Sequence, residues 1–232
     1  MTVFLLSKDP EFPPPEYAEE DGLLAVGGDL SEKRLLLAYS RGIFPWYSED
    51  SPILWWSPDP RLVLVPKELR VSRSLRQIIR KGIYTVTMDT AFEEVVISCA
   101  QVHGKEDGGT WITDDMVRAY VRLYESGFAH SVESWQEGKL AGGLYGVSLG
   151  GVFFGESMFT RRRDASKAAF VSIVRKLAEW DFELIDCQVR TEHLISLGAR
   201  EIPRSQFITK LRNALGRPGR PGKWNEEPLQ LR

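Results

Sequence analysis

Three strand-like segments follow one another between positions 129 and 158 and are separated by two short turns. The turns contain Glu137-Gly138 and Gly150-Gly151, and strands joined by such short turns pair as antiparallel neighbours. Helical patterns precede this meander, and a helix, a fourth strand-like segment and two short helices follow it. The order predicts an α+β fold in which a bent, mainly antiparallel sheet is flanked by helices.

Several of the helical segments begin with residues that cap helix N-termini. Ser31 precedes a short helix that ends near Gly42, and Thr113 precedes a helix with two aspartates in its first turn. Thr90 and Glu93 have the spacing of a capping box. We therefore expect the side chains of Thr90 and Glu93 to close the N-terminus of one helix between them.

The beginning of the chain differs from the rest because prolines and glycines interrupt it repeatedly. We expect a small N-terminal domain at 1–61 and a larger domain at 62–232. The segment at about 217–232 is again rich in Pro and Gly, and we expect it to be a loosely ordered tail.

The composition of the chain is that of an ordinary globular protein, with 43% hydrophobic and 27% charged residues. A formal net charge of -2 does not indicate a general nucleic-acid binder. Only Cys99 and Cys187 are present, which is typical of a reducing compartment. The N-terminus has no secretory signal pattern, and no apolar run approaches the roughly 20 residues needed to span a bilayer. We expect a soluble, cytoplasmic protein.

Two apolar strand-like segments contain polar residues that are costly to bury without partners. Asp186 and Gln188 lie two apart in one strand, so a regular strand would point them to the same face. Glu156 follows Gly155 in the other segment. These residues predict a cleft with a few convergent polar groups, as in an active site. On spacing alone, purely structural roles are equally consistent with the pattern. Asp186 and Gln188 could tie their strand to a nearby helix end, and Glu156 could be an acid at a strand edge.

A basic helix is predicted at positions 72–81, and its charged residues could bind phosphates. A solvated helix face is the simpler interpretation of such a segment taken alone. Trp111 lies in a glycine-containing loop and could stack on a base, although tryptophans more often belong to a core. The basic side chains are Arg73, Arg76, Arg80 and Lys81.

Patterns for metal ions and nucleotides are missing from the sequence. The three histidines lack metal-ligand spacing, and there is no phosphate-binding GxxxxGK[ST] loop. We therefore predict no metal and no cofactor, and we expect the energy for bond formation to arrive in an already activated substrate.

Several strings along the chain are long and unusual, among them GLLAVGGDL at 22–30 and LIDCQ at 184–188. Further such segments are 41–46, 55–61, 109–113, 154–159, 165–167, 193–194 and 196–199. Taken together, these segments resemble the leucyl/phenylalanyl-tRNA–protein transferase family. The resemblance extends from about Phe12 to about Phe207.

The resemblance implies an aminoacyltransferase whose larger domain is similar to acetyltransferases (GNAT-like). Such enzymes move Leu or Phe, with Met as a further candidate, from aminoacyl-tRNA to the N-terminal α-amine of proteins that begin with Arg or Lys. The product is marked for N-degron proteolysis, part of the N-end rule. We expect no membrane partner and a monomer.

Roles for particular residues follow from the same resemblance. Gln188 would hydrogen-bond the attacking amine, and Asp186 would polarise Gln188. Glu156 would hold the amino group of the donor or the basic end of the acceptor. Trp111 would stack on the terminal adenine of the tRNA, and the basic helix would grip phosphates near the acceptor stem. Trp46 and Tyr39 would line the same entrance, Ser157 and Thr191 would add hydrogen bonds, and the apolar pocket would consist of Leu144, Phe153, Met158, Phe170 and Ile185.

Two other functions are weighed against this one. An acyl-CoA-dependent N-acetyltransferase is disfavoured because the chain lacks an Arg-x-x-Gly-x-Gly pyrophosphate loop. A module that binds tRNA or peptide without turnover is disfavoured by the complete set of Asp186, Gln188 and Glu156.

Overall fold

A computed structural model describes residues 3–106, 111–225 and 229, without the side chains of 103–106. The strands are β1 Phe4–Leu6, β2 Leu23–Gly27, β3 Phe44–Pro45, β4 Leu54–Trp56, β5 Arg61–Leu64, β6 Thr85–Met88, β7 Ala129–Gln136, β8 Lys139–Leu149, β9 Val152–Thr160, β10 Leu184–Gln188 and β11 Arg200–Ile202. The helices are α1 Glu32–Ser40, α2 Arg73–Arg80, α3 Phe92–Glu106, α4 Asp114–Glu125, α5 Ala165–Glu179, α6 Glu192–Ser196 and α7 Arg204–Leu215. None of these helices is long and apolar enough to cross a bilayer.

The N-terminal region contains a sheet of its own, with the strand order β1-β2-β4-β3. β1 and β2 are parallel, whereas β4 pairs with β2 and β3 in the antiparallel sense. These strands have two to five residues each, and prolines interrupt the segments between them. Such short strands give little periodicity, which explains why the sequence patterns indicate only turns here.

The larger sheet has seven strands in the order β11-β5-β10-β9-β8-β7-β6. The predicted meander is confirmed, because β7, β8 and β9 pair as consecutive antiparallel neighbours. β9 and β10 form a parallel pair, with α5 as the connection between them. The α+β class with a small N-terminal unit and a mainly antiparallel sheet is thus confirmed. The boundary between residues 61 and 62 stays a prediction.

Helix caps follow the sequence patterns at most of the predicted positions. The hydroxyls of Ser31 and Thr113 accept hydrogen bonds from backbone amides in the first turns of α1 and α4. The capping box at Thr90 is wrong, because the hydroxyl of Thr90 donates to the carboxylate of Glu133 on β7 at 2.9 Å. The same carboxylate accepts from the amide of Ala91 at 3.3 Å. A buried acid from the sheet therefore closes this helix end.

Helices cover both faces of the larger sheet and give two apolar clusters. α3 and α4 pack on one face, and α5 packs on the other. Gly146 on β8 allows the ring of Phe153 to lie against the sheet, because an added Cβ would be 2.6 Å from that ring. The fold thereby sets the position of an aromatic side chain that contributes to the cavity described below.

Trp224 departs from the expectation of a loosely ordered tail. Its side chain is buried and stacks on His130, with ring centroids 3.5 Å apart. The backbone amide of Trp224 donates to the buried carboxylate of Asp89 at 2.6 Å. Residues 226–228 and 230–232 of the predicted tail lie outside the described residues.

Candidate active site

A cavity of about 440 Å³ opens where β9 and β10 separate. Their parallel pairing ends at Asp186 and Phe154. Beyond that point, residues of both strands line the cavity instead of each other, including Glu156 from β9 and Gln188 from β10. Parting strands expose the middle of a sheet, which places polar side chains in a largely apolar enclosure.

The apolar wall of the cavity contains all five residues predicted for the side-chain pocket. They come from β8, β9, α5 and β10, and each is buried or nearly so. No charged side chain lies among these five, so this part of the cavity is suited to an apolar group. The five lining residues are Leu144, Phe153, Met158, Phe170 and Ile185.

The side chain of Gln188 is oriented by Glu156. Nε2 of Gln188 donates a hydrogen bond of 2.8 Å to Oε1 of Glu156. An ionised carboxylate only accepts, so the amide turns its NH2 group towards Glu156 and its carbonyl oxygen away. This arrangement leaves the carbonyl oxygen as the end of Gln188 that can accept a hydrogen bond from a ligand.

Two tyrosines support Glu156 from behind. The hydroxyl of Tyr120 on α4 donates to Oε2 of Glu156 at 2.7 Å. Tyr120 in turn accepts from the hydroxyl of Tyr39 on α1, at 2.5 Å. Burial raises the pKa of Glu156 to about 7, although the hydrogen bonds from Tyr120 and Gln188 act in the opposite direction. A carboxyl group with such a pKa changes charge near neutral pH.

Asp186 does not share a face with Gln188, which corrects the prediction of a side-by-side pair. A bulge lies between the two residues, and Gln188 adopts a left-handed backbone with φ of 62°. Asp186 is fully buried away from the cavity and pairs with Arg61, whereas both Cys187 and Gln188 line the cavity. Oδ1 of Asp186 accepts from the backbone amide of Gln188 at 3.0 Å and not from its side chain.

The left-handed conformation of Gln188 is unfavourable for a residue with a side chain, by about 1–3 kcal/mol. A hydrogen bond to a charged group contributes a similar amount, about 1.5–3 kcal/mol. The bond from the amide of Gln188 to the carboxylate of Asp186 is therefore large enough to offset the backbone cost. Asp186 controls the backbone of Gln188, and Glu156 controls its side chain.

The aromatic residues predicted at the entrance fall into two groups. Trp46 and Trp111 line the cavity, as do Ser157 and Thr191. Tyr39 does not, because its side chain is 1% exposed and lies behind Glu156. Thr191 also caps α6 by accepting from the amide of Leu194. Of the predicted loop around Trp111, residues 108–110 lie outside the described residues.

The basic helix α2 lies apart from the cavity, and the side chains of its three arginines and of the lysine that follows it are exposed. Arg76 contributes to a second depression of about 450 Å³, which also contains Lys67, Arg175 and Glu179. The structure thus places α2 on the surface, and its role in binding phosphates stays a prediction. The side chains concerned are Arg73, Arg76, Arg80 and Lys81.

Comparisons with known proteins identify the family. Residues 63–212 match the family described as "Leucyl/phenylalanyl-tRNA protein transferase", and residues 28–59 match its N-terminal domain. A relative named leucyl/phenylalanyl-tRNA--protein transferase in Anaeromyxobacter sp. (strain Fw109-5) is 62% identical over 97% of this chain and 96% of its own. A relative of the same name in Myxococcus xanthus is 58% identical over 97% of each chain. The chain belongs to the leucyl/phenylalanyl-tRNA protein transferase family.

Membership of this family confirms the enzyme class predicted from the sequence, an aminoacyltransferase. Solved structures with some similarity include an aminoglycoside acetyltransferase from a soil metagenomic sample, with a TM-score of 0.35 and 16% identity over 49% of this chain and 87% of that chain. A GCN5-related N-acetyltransferase from Kribbella flavida has a TM-score of 0.37 and 14% identity over 73% and 59% of the two chains. TM-scores this low do not indicate a shared function.

Several residues of this transferase cavity were not found by sequence reasoning. Phe44, Tyr145, Cys187 and His193 line the cavity together with the predicted residues. Tyr120 donates a hydrogen bond to Glu156, but the sequence gives no sign of this role. In the sequence it has the position of an apolar residue on the buried face of an amphipathic helix. Arg61, which pairs with Asp186, was not predicted as a site residue. It is nevertheless the last residue of the string WWSPDPR at 55–61, which is part of the resemblance.

The structure shows no cluster of His, Cys, Asp and Glu side chains that could hold a metal ion among the residues it describes. The carboxylates of Glu156 and Asp186 have other partners, namely Tyr120, Gln188 and Arg61. These residues offer hydrogen bonds and charge to a ligand in the cavity.

Proposed function

We propose that this transferase moves Leu or Phe, with Met as a further donor, from aminoacyl-tRNA to the N-terminal α-amine of proteins that begin with Arg or Lys. The acceptor is thereby marked for N-degron proteolysis. The observation that carries the proposal is the hydrogen bond between Gln188 and Glu156 at the edge of an apolar cavity, in a chain of this family. A cytoplasmic location and a monomeric state remain predictions.

The apolar wall suits the side chain of the transferred amino acid. Leu and Phe bury their surface against Leu144, Phe153 and Phe170, which favours binding by roughly 1.5–3 kcal/mol for a fully buried side chain. A charged side chain would lose its hydration there without gaining a partner, so it would be rejected. Two apolar side chains that differ by one methylene are separated by only about 1–3 kcal/mol.

The reaction is aminolysis of an ester that is already activated. The acceptor nitrogen attacks the carbonyl carbon, a C–N bond forms, and the C–O bond to the ribose breaks. The nitrogen loses a proton, and the ribose oxygen gains one as it leaves. The carbonyl oxygen of Gln188 accepts a hydrogen bond from the attacking amine and orients its lone pair towards the ester. The bonds formed and broken in this reaction need neither ATP nor a metal ion.

Glu156 supplies negative charge to the same site. Once ionised, it accepts hydrogen bonds from Tyr120 and Gln188, and it attracts the amino group of the donor or the basic end of the acceptor. Trp111 and Trp46 line the cavity, where they offer faces for stacking on the terminal adenine. The basic helix α2 would then hold phosphates of the acceptor stem.

A transfer assay tests the proposal. The protein is incubated with labelled Leu-tRNA and a peptide that begins with Arg, without ATP, and label on the peptide is measured. The matched control is the same peptide with an acetylated N-terminus, which has no nucleophilic amine. We expect label only on the free-amine peptide. Lack of transfer to it, or transfer of an acetyl group from acetyl-CoA instead, would contradict the proposal.

A further inference from the structure

Arg61 is a buried arginine at the junction of the N-terminal sheet and the larger sheet. Only 1% of its surface is exposed, and its guanidinium lies between the rings of Phe44 and Phe207, 4.7 Å from each centroid. Phe44 belongs to the N-terminal sheet and also lines the cavity, whereas Phe207 belongs to α7. Two aromatic rings therefore contact the guanidinium and help to hold it in position.

The same guanidinium holds Asp186 with two parallel hydrogen bonds. Nε donates to Oδ1 at 2.8 Å, and Nη2 donates to Oδ2 at 2.7 Å. A fork of this kind fixes the carboxylate in its plane as well as its distance. Asp186 is fully buried, and Arg61 is the cation that compensates its charge.

The fixed carboxylate of Asp186 reaches the backbone of Gln188. Oδ1 is shared between Nε of Arg61 and the backbone amide of Gln188, the latter at 3.0 Å. Gln188 is the residue in the left-handed conformation, and this conformation carries its side chain across to Glu156. A continuous series of contacts therefore runs from Arg61 through Asp186 and Gln188 to Glu156.

We propose that Arg61 is a positioning residue for transfer, acting through Asp186 to set the backbone and hence the side chain of Gln188. The proposal rests on the function proposed above. Because Phe44 forms one face of the site that holds Arg61, the N-terminal sheet takes part in the same positioning. Lys could supply the charge at position 61 but not the planar fork, so we expect the geometry of the arginine to matter.

The test compares Arg61→Lys with the unaltered protein in the transfer assay, with kcat, KM for both substrates and thermal unfolding measured together. We expect kcat to fall at least about tenfold with both KM values within about twofold, because Gln188 would be misaligned only for the chemical step. Arg34→Lys is the control, because Arg34 is also fully buried and pairs with an aspartate, the half-exposed Asp29, but does not line the cavity. It should lower the unfolding temperature and leave kcat unchanged.

Hydrogen exchange gives a readout that a merely structural role would not change. In Arg61→Lys, exchange of the Gln188 amide should accelerate beyond the change seen for amides elsewhere in the sheet. If Arg61→Lys does not fold, Phe207→Leu supplies the test, since it removes one ring and keeps the ion pair. A fall in kcat of at least about threefold supports the proposal.

An unchanged kcat in the folded Arg61→Lys protein, or in Phe207→Leu, overturns the assignment, as does an equal loss of kcat in Arg34→Lys. The function proposed above fails separately, because in that case the unaltered protein itself transfers no label. The two failures are therefore distinguishable in one set of assays.

Discussion

Nε2 of Gln188 donates a 2.8 Å hydrogen bond to Oε1 of Glu156 across the gap between β10 and β9. The two side chains come from strands that no longer pair with each other at this level. A side-chain hydrogen bond therefore joins β9 and β10 at the level where their backbones no longer pair. It also determines which end of the Gln188 amide faces a ligand, because an ionised Glu156 can only accept.

Gln188→Ala tests the role of this amide. We expect turnover to fall by one or more orders of magnitude with tRNA affinity nearly unchanged, because the carbonyl oxygen acts on the amine and not on the tRNA. The measurements are the rate of label transfer and the Kd for tRNA. Gln206→Ala, at an exposed position on α7, is the control and should leave both values unchanged. Loss of tRNA binding in Gln188→Ala would contradict the assigned role.

Glu156 should reduce stability at neutral and higher pH. Its pKa is raised from 4.5 in the unfolded chain to about 7 in the folded protein, chiefly by burial. Between these values the folded state retains a proton that the unfolded state has released, so rising pH favours unfolding. The contribution of this group is fully present below pH 4.5, is lost progressively up to pH 7, and is constant above it.

Glu156→Gln removes this ionisation. We expect the free energy of unfolding of the variant, relative to the unaltered protein, to rise by about 3 kcal/mol between pH 4.5 and pH 8. Transfer activity should fall in the same variant, because the negative charge is gone. Denaturant unfolding at both pH values and the transfer assay check these outcomes. A stability difference that does not depend on pH would show that burial of the charge is not costly.

Asp186→Ala should destabilise the protein as well as slow it. The substitution leaves the guanidinium of Arg61 buried without its carboxylate, and breaking a buried ion pair in this way costs about 3–5 kcal/mol. Asp181→Asn is the control, because Asn tolerates the left-handed backbone at this position and the lost ion pair with Lys67 is largely exposed and contributes at most about 1 kcal/mol. Denaturant unfolding at pH 7 measures both. Equal effects of the two substitutions would contradict the importance of the Arg61–Asp186 pair.

The sequence predicted those parts of the site that depend on local pattern. The strand context of Glu156 and the meander follow from alternation and short turns, which are local properties of the sequence. The resemblance adds the five residues of the apolar pocket, all of which line the cavity. Trp111 was placed at the cavity in the same way.

The remaining features depend on contacts between distant segments or on departures from regular backbone. The bulge before Gln188 turned a predicted same-face pair into residues on different sides of the strand. Thr90 bonds to Glu133, 43 positions away, and not within the predicted capping box. Arg61 pairs with Asp186, which is 125 positions away. Local spacing carries no information about such partners, and two-residue strands such as Phe44–Pro45 show no period at all.

The double variant Arg76→Ala/Arg80→Ala tests the basic helix. We expect weaker tRNA binding and a shallower dependence of log K on log salt, by roughly 0.7–0.9 for each phosphate that the helix no longer neutralises. Lys210→Ala/Arg212→Ala removes two exposed cations from α7 and should leave the slope unchanged. The Kd for tRNA is measured across a series of salt concentrations. An unchanged slope in Arg76→Ala/Arg80→Ala would show that α2 is a solvated surface helix that does not bind tRNA phosphates.

Phe170→Leu should shift donor selection towards Phe. The ring of Phe170 on α5 lines the apolar wall and is only 6% exposed, so a smaller residue enlarges the pocket. We expect the ratio of kcat/KM for Phe-tRNA to that for Leu-tRNA to rise by about 5- to 150-fold, since such differences in apolar volume are worth about 1–3 kcal/mol. Phe159→Leu removes an equally buried ring that does not line the cavity, and its ratio should stay constant. If both variants changed the ratio alike, general loosening of the core and not the shape of the pocket would set donor preference.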